Sequence, residues 1–359
     1  MNTNIPTTFV HLRCHSEYSI YDSLIRLGAL THKVVQHAMP AVALTDLGNL
    51  FGFIKFYTKA LQLGIKPLIG AELWVQDNSN IGYSKWIVLC QNNQGYLNLT
   101  KIISKGYLEA PRTTNPIIPL EWLKTYHEGL IFLSGGPYGT IGQHIIQDQL
   151  PEAQRCLEQY LHWWPGRFYL ELHRTDREYD KLYDQAVLKL AARFACPVVA
   201  TNDVIMLEPE DFEAHQARIG IQQGLLLSEI VKNKNKFYSA QQYLKSPSEM
   251  IHLFKDVPSA IINTVEIAKR CTVTLDLGKV FLPNFPVPSN QTVESYLACA
   301  AQLGLNKRLE TLHKFQNADN QNKEEALKIY QDRLKFELQV INSMGYPGYF
   351  LIVSDFIRW

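Results

Sequence analysis

Near its start the chain gathers two imidazoles and a guanidinium in one short run, Val10-His11-Leu12-Arg13-Cys14-His15. On an extended backbone, His11, Arg13 and His15 share one face and Val10, Leu12 and Cys14 the other. Such a cluster at a strand end suits a metal or phosphate pocket, and the same alternation suits a solvated strand face with a hydrogen-bonded histidine. Asp22 follows shortly after. It can serve the same pocket or cap a helix beginning near Leu24, a role for which Ser23 competes.

The elements that must position these groups repeat a β-α rhythm over the first 200 residues. Short β-branched runs predict strands over Phe9–His15, Ala41–Thr45, Leu68–Val75, Trp86–Gln91, Leu130–Ser134, Phe168–His173 and Val198–Asn202. Helix-like stretches lie between them at Leu24–His37, Leu50–Leu63, Glu152–Trp163 and Tyr179–Ala195. This alternation predicts mainly parallel strands with crossover helices, in a barrel or a doubly wound sheet. Asp46 follows the second predicted strand, Glu72 lies in the third, and Asp203 follows the last. His15, Asp22, Asp46 and Asp203 thus fall at or just past C-terminal strand ends, where barrel active sites are built.

The chain has 359 residues, long enough for a large barrel and a second unit, and its 46% apolar content can fill a substantial core. Lys plus Arg number 35 against 34 Asp plus Glu, so overall charge gives no reason to expect nucleic-acid binding. Six scattered cysteines without a Cys-x-x-Cys pair fit reduced, buried thiols. With a polar N-terminus and no long apolar run, the expected compartment is the cytoplasm, with no membrane contact. The apolar segment Tyr349–Trp359 reads as the cut edge of a longer protein.

After about residue 205 the pattern turns helical, with candidates at Glu208–Gln223, Ala240–Phe254, Pro258–Arg270, Val293–Phe315 and Lys323–Met344. The lysine-rich run Val231–Phe237 suits a solvated loop, with phosphate contact as its alternative. Three prolines between Phe281 and Pro288 predict a linker. His11 reads as a hydrogen-bonded wall residue and His215 as a helix residue holding a loop. Arg112 and Arg167 are candidate nucleic-acid contacts.

Five blocks resemble the N-terminal part of the catalytic alpha subunits of bacterial DNA polymerase III, the C-family replicative polymerases. They are His11-Leu-Arg-Cys-His-Ser-Glu-Tyr-Ser19, Ala43-Leu-Thr-Asp-Leu-Gly-Asn-Leu-Phe-Gly52, Gly64-Ile-Lys-Pro-Leu-Ile-Gly-Ala-Glu72, Ala200-Thr-Asn-Asp-Val204 and Gly345-Tyr-Pro-Gly-Tyr-Phe-Leu-Ile-Val353. The resemblance implies an α/β fold, with a polymerase-and-histidinol-phosphatase (PHP) domain over 1–275. That domain is a distorted seven-stranded (β/α) barrel related to the TIM barrel. Residues 276–359 are then the mostly helical start of the polymerase palm.

Metal-binding PHP domains carry a trinuclear site, and the resemblance places its remnant on Arg13, His15, Asp22, Asp46, Glu72 and Asp203. His15, Asp22, Glu72 and Asp203 keep ligand chemistry. Arg13 stands where the first histidine of a His-x-His pair is expected, and Leu47, Ile205 and Gly136 stand where histidine, histidine and cysteine are usual. Lys105 falls near a further histidine position. Zinc-like sites want imidazole and thiolate donors, which are mostly gone. A permanent guanidinium 4 Å from a dication is repelled by ~8 kcal/mol at an effective dielectric of ~20. The expectation is therefore a metal-free, salt-bridged remnant in a domain kept as a scaffold.

In the family, two Mg2+ ions serve nucleotidyl transfer on an Asp-x-Asp cluster that the resemblance places beyond residue 359. This stretch alone is then expected to hold no cofactor and not to polymerise. The implied partners are a proofreading 3′–5′ exonuclease subunit, other replicase subunits, the sliding clamp and primer-template DNA. The competing expectation is a live PHP metallohydrolase, a phosphoesterase, pyrophosphatase or exonuclease, resting on His15, Asp22, Glu72 and Asp203.

Overall fold

A computed structural model describes residues 8–77, 82–109, 116–232, 238–279, 282–311 and 320–359. By its internal contacts the chain divides into two units, Met1–Leu275 and Asp276–Trp359.

The first unit is built on one curled seven-stranded sheet. Its strands are β1 (Ala41–Leu44), β2 (Lys66–Gln76), β3 (Tyr83–Cys90), β4 (Ile117–Pro119), β5 (Leu130–Leu133), β6 (Phe168–His173) and β7 (Val198–Thr201). They run in the order β1-β2-β3-β5-β6-β7, with the short β4 also paired to β2. Parallel pairing holds for β1–β2, β2–β4, β5–β6 and β6–β7, whereas β3 is antiparallel to both β2 and β5. The sheet is therefore mixed where mainly parallel strands are expected. The cause is local: only six residues lie between the end of β2 at Gln76 and the start of β3 at Tyr83, fewer than a parallel crossover needs.

The predicted strand Phe9–His15 is not a regular strand, and only Cys14 forms an isolated bridge, to Val204. Its hydrogen bonds are divided between the two edges of the sheet. His11 O and Cys14 O accept from Ala43 N and Thr45 N on the β1 side, and Arg13 O accepts from Val204 N just past β7. The segment thus spans the gap between first and last strands, which explains both the barrel-like shape and the broken ladder.

Strand parity separates two buried layers. Trp86, Val88, Phe132, Phe168 and Leu170 pack outward with Tyr160 and Trp164, where Trp164 stacks on Phe132 at 4.3 Å between ring centroids. Leu68, Ile87, Leu89, Ile131, Leu133, Tyr169 and Val199 face the inside of the curl with Val10 and Leu12. Helices α1 (Leu27–Gln36), α2 (Phe53–Gln62), α3 (Asn93–Glu109), α4 (Leu120–Thr125), α5 (Thr140–Ile146), α6 (Leu150–Trp163) and α7 (Asp180–Phe194) follow in chain order. The later region adds α8 (Phe212–Gln223), α9 (Leu227–Lys232), α10 (Pro247–Leu253) and α11 (Pro258–Arg270).

The helix predicted over Ala240–Phe254 is much shorter. Ser246 caps α10, accepting from Glu249 N while the Glu249 carboxylate accepts from Ser246 N, and this capping box fixes the start. In the second unit, α12 (Val293–Thr311), α13 (Asn320–Ser343) and α14 (Pro347–Arg358) bury Leu297, Leu309 and Leu351. Among the described residues no helix is long and apolar enough to cross a membrane.

Candidate functional site

At the C-terminal ends of the parallel strands the apolar inner layer gives way to charge. Glu72 on β2, Lys85 on β3, and Glu171 and His173 on β6 all have the parity of the inner face. Lys85 lies near the start of β3, but that strand is antiparallel, so it reaches the same end of the sheet. Glu72 is paired with Ile87 and Trp74 with Lys85, which makes Lys85 a diagonal neighbour of Glu72 on one face.

Arg13 is the hub, fully buried. Its Nη2 donates to Glu72 Oε2 at 2.6 Å, its Nε lies 2.9 Å from Asp203 Oδ1, and its Nη1 lies 3.6 Å from Glu171 Oε1 and 3.3 Å from His173 Nε2. Lys85 Nζ meets the other Glu72 oxygen at 2.7 Å, and Arg177 Nη1 meets Asp203 Oδ2 at 2.6 Å. His15 lies between carboxylates, its Nδ1 2.6 Å from Asp22 Oδ2 and its Nε2 3.1 Å from Glu72 Oε2. Tyr238 OH donates to the remaining Asp22 oxygen.

Burial alone would drive every one of these groups to its neutral form. Opposite charge outweighs it. Burial disfavours the His15 imidazolium, yet Glu72 and Asp22 lift its pKa to about 10. Burial likewise opposes the carboxylates, but Arg13, Lys85 and His15 hold Glu72 well below the usual range, and Arg13 and Arg177 do the same for Asp203. Asp22, Glu72, Glu171 and Asp203 then supply four negative charges, and Arg13, His15, Lys85 and Arg177 supply four positive ones. Asp180, buried and 3.7 Å from Arg177 Nε, adds a fifth carboxylate at the rim, and each inner carboxylate has a cation against it.

Asp46 stands at the edge of this network. Its oxygens accept from Ser16 N, Ser16 Oγ and Ser19 Oγ at 2.6–2.8 Å, so it ties down the turn after His15. Burial pushes its pKa up despite those bonds.

Family comparisons divide the chain in the same order. The model described as "PHP domain" matches residues 11–175, and "Bacterial DNA polymerase III alpha NTPase domain" matches 295–359. The DNA polymerase III subunit alpha of Pseudomonas aeruginosa is 44% identical over 353 residues, 98% of this chain and 30% of that subunit. Over nearly its whole length the chain is similar to bacterial DNA polymerase III alpha subunits. The Escherichia coli K12 subunit is also 44% identical, over 98% of this chain and 30% of its own length. The chain thus spans about 30% of the length of the relatives it matches. Among solved structures, an amidohydrolase from Chromobacterium violaceum covers 55% of this chain and 88% of its own at 12% identity, with a TM-score of 0.39.

Five of the six alpha-subunit positions singled out from sequence, Arg13, His15, Asp22, Glu72 and Asp203, converge in one ionic network. Asp22 caps no helix, for α1 begins after Arg26 without a side-chain cap. Lys105 is misplaced in the sequence reading. It sits on the outer helix α3, 3.5 Å from Glu109 and 4.6 Å from the Trp122 ring centroid, and Lys85 is the lysine in the cluster. Gly136 has φ +61, and a Cβ there would come within 2.4 Å of the His173 ring. The place of the usual cysteine is therefore filled by His173.

His11 joins no cluster, since its Nε2 bonds Lys245 O at 2.8 Å. His215 Nε2 lies 3.3 Å from Asp22 O, holding that loop. Arg167 is spent on His127, bonding both its carbonyl and its ring. Arg112 and the lysines of 233–237 lie outside the described residues. Sequence reasoning missed Lys85, Glu171, His173 and Arg177. The pair Glu171 and His173 did carry a signal, two ionisable side chains alternating within an otherwise apolar strand.

His15, Glu72 and Asp203 place ligand atoms within 4.8 Å of one another, a spacing that could surround an ion. Yet Arg13 already binds Glu72 Oε2 and Asp203 Oδ1. A donor set with one imidazole, two carboxylates and a guanidinium between them does not fit a dication.

Proposed function

We propose that the chain is the N-terminal part of the catalytic alpha subunit of a replicative DNA-directed DNA polymerase, with a PHP domain that serves as a metal-free scaffold and docks the proofreading 3′–5′ exonuclease subunit. The observation that carries this reading is the buried Arg13 guanidinium lying between Glu72 and Asp203. It supplies fixed positive charge to the carboxylates at which metal ions would act. Because Glu72 and Asp203 are already paired with Arg13, Lys85 and Arg177, a dication would have to displace paired cations.

Nucleotidyl transfer, its Mg2+ ions, primer-template DNA, the clamp and the other replicase subunits are assigned to the longer protein. A domain that no longer hydrolyses phosphoesters can keep its rigid frame as a docking body. Editing then falls to the separate subunit.

The spacing of His15, Glu72 and Asp203 favours a second reading, a PHP metallohydrolase acting on phosphoesters, pyrophosphate or 3′ ends. Hydrolysis of a phosphodiester, pyrophosphate and a 3′-terminal nucleotide is measured with Mn2+ or Zn2+ for the native chain and for Glu72→Gln. The scaffold reading expects no turnover that Glu72→Gln removes, and Glu72-dependent turnover would contradict it. Co-elution with the proofreading subunit tests the docking role, which fails if the two proteins elute separately.

A further inference from the structure

Helix α2 buries Phe53, Phe56, Tyr57 and Ala60 and turns a second apolar stripe outward. Ile54 and Leu61 lie two turns apart on that stripe and are 49% and 52% exposed, with Phe51, 65% exposed, one turn before Ile54. The stripe runs into the turn that follows His15. Asn49 Nδ2 donates to Tyr18 O at 3.0 Å, and a Cβ on Gly52 would meet the Tyr18 ring at 2.7 Å, so this turn lies against the start of α2.

Ile20, on the same turn, is 67% exposed and sits at φ 58, ψ −75. A β-branched residue seldom adopts that conformation, and the surrounding structure must impose it. It does so here through Ser19 Oγ, which donates to Asp46 at 2.7 Å, and Ile20 N, which donates to Glu17 O at 3.2 Å. A large aliphatic side chain is thereby presented to solvent from the turn whose Tyr18 packs against the start of α2.

Helix α2 itself carries charge of one sign, Lys55 and Lys59, with the half-exposed Glu17 on the adjoining turn. Between Ser23 and Ala71 the only acidic residue is the buried Asp46, against Arg26, Lys33, Lys55, Lys59 and Lys66. Lys33 pairs with Glu208, and Lys66 donates to the Ala268 carbonyl at 2.7 Å. Lys55 and Lys59 meet no carboxylate among the described residues, and Lys55 lies 5.9 Å over the Tyr18 ring. An apolar stripe flanked by uncompensated lysines selects an occupant of opposite charge.

We infer that the outer face of α2, with Ile20 and Phe51, is a docking surface for a helical segment of a partner protein whose apolar side chains are flanked by Asp and Glu. The apolar anchors supply the contact, and Lys55 and Lys59 set the sign of the partner.

The test uses the intact chain and a fluorescein-labelled amphipathic helical peptide with leucines on one face flanked by glutamates. Its control carries lysines in place of the glutamates. The acidic peptide is expected to bind, with affinity reduced at least about tenfold by Phe51→Ser/Ile54→Ser and, independently, by Lys55→Glu/Lys59→Glu. Rising salt should weaken binding to the native chain. Equal binding of both peptides, no binding of either, or indifference to both double variants overturns the inference. Sedimentation of the unliganded chain gives a further arm: a dimer dissolved by Phe51→Ser/Ile54→Ser would put a second copy on this face and overturn the partner assignment.

Discussion

Replacing Arg13 with methionine removes the charge at the centre of the network and keeps much of the volume. The guanidinium lies 2.6 Å from Glu72, 2.9 Å from Asp203 and 3.6 Å from Glu171. Removing one partner of a buried ion pair costs ~3–5 kcal/mol, because the charge left behind is uncompensated. Lys85 still meets Glu72 and Arg177 still meets Asp203, which places the loss near the lower limit, about 3 kcal/mol. For a unit of this size each kcal/mol lowers the melting temperature by ~2–4 °C, so the fall should be ~6–12 °C.

Glu72 and Asp203 titrate in the folded chain below their ordinary values of 4.5 and 3.8. Depressed carboxylates stabilise the fold above those ordinary values and lose the contribution as pH falls. The variant weakens that depression, so its deficit should be full above about pH 5 and narrow as pH is lowered toward about 4. Circular-dichroism melts of native chain, Arg13→Met and Arg13→Lys across that range provide the assay, with Arg13→Lys falling between the other two because it cannot span two carboxylates. A variant that melts with the native chain at every pH would refute the hub role.

His15 gives the opposite pH dependence. Its pKa, raised from the ordinary 6.5 to about 10 by Glu72 and Asp22 over the opposing effect of burial, means its stabilisation is complete below about 6.5 and lost as pH rises through about 10. Melts of the native chain between those limits should therefore decline more steeply than those of His15→Gln, and parallel curves would count against an imidazolium at this position. Gly136→Cys should cost about 2 kcal/mol in a urea titration, from positive φ and the encounter with the His173 ring. Gly64→Ala, where φ is +73 but nothing lies within 4 Å, should cost about half as much.

Periodicity located most of the scaffold because hydrophobic alternation is local. Strands β5, β6 and β7 and helices α1, α2, α6 and α7 lie where their apolar patterns place them. What failed depended on pairing. Phe9–His15 has a strand's alternation but divides its hydrogen bonds between two sheet edges. The reversal of β3 is a property of its connection and leaves no mark on its own residues. Ile117–Pro119 is too short to show a period.

The site divides in the same way. Arg13, His15, Asp22, Glu72 and Asp203 stand out because charged residues at strand ends are conspicuous. Lys85 and Arg177 look like ordinary surface cations until folding brings them against Glu72 and Asp203.

The direct test of the central claim is metal content. The intact chain is incubated with Mn2+ or Zn2+, dialysed and analysed by mass spectrometry of the elements alongside Arg13→Met. An Arg13-centred ionic network predicts a native chain with metal far below stoichiometric amounts for either ion. A stoichiometric ion retained by the native chain and lost in Glu72→Gln would contradict it.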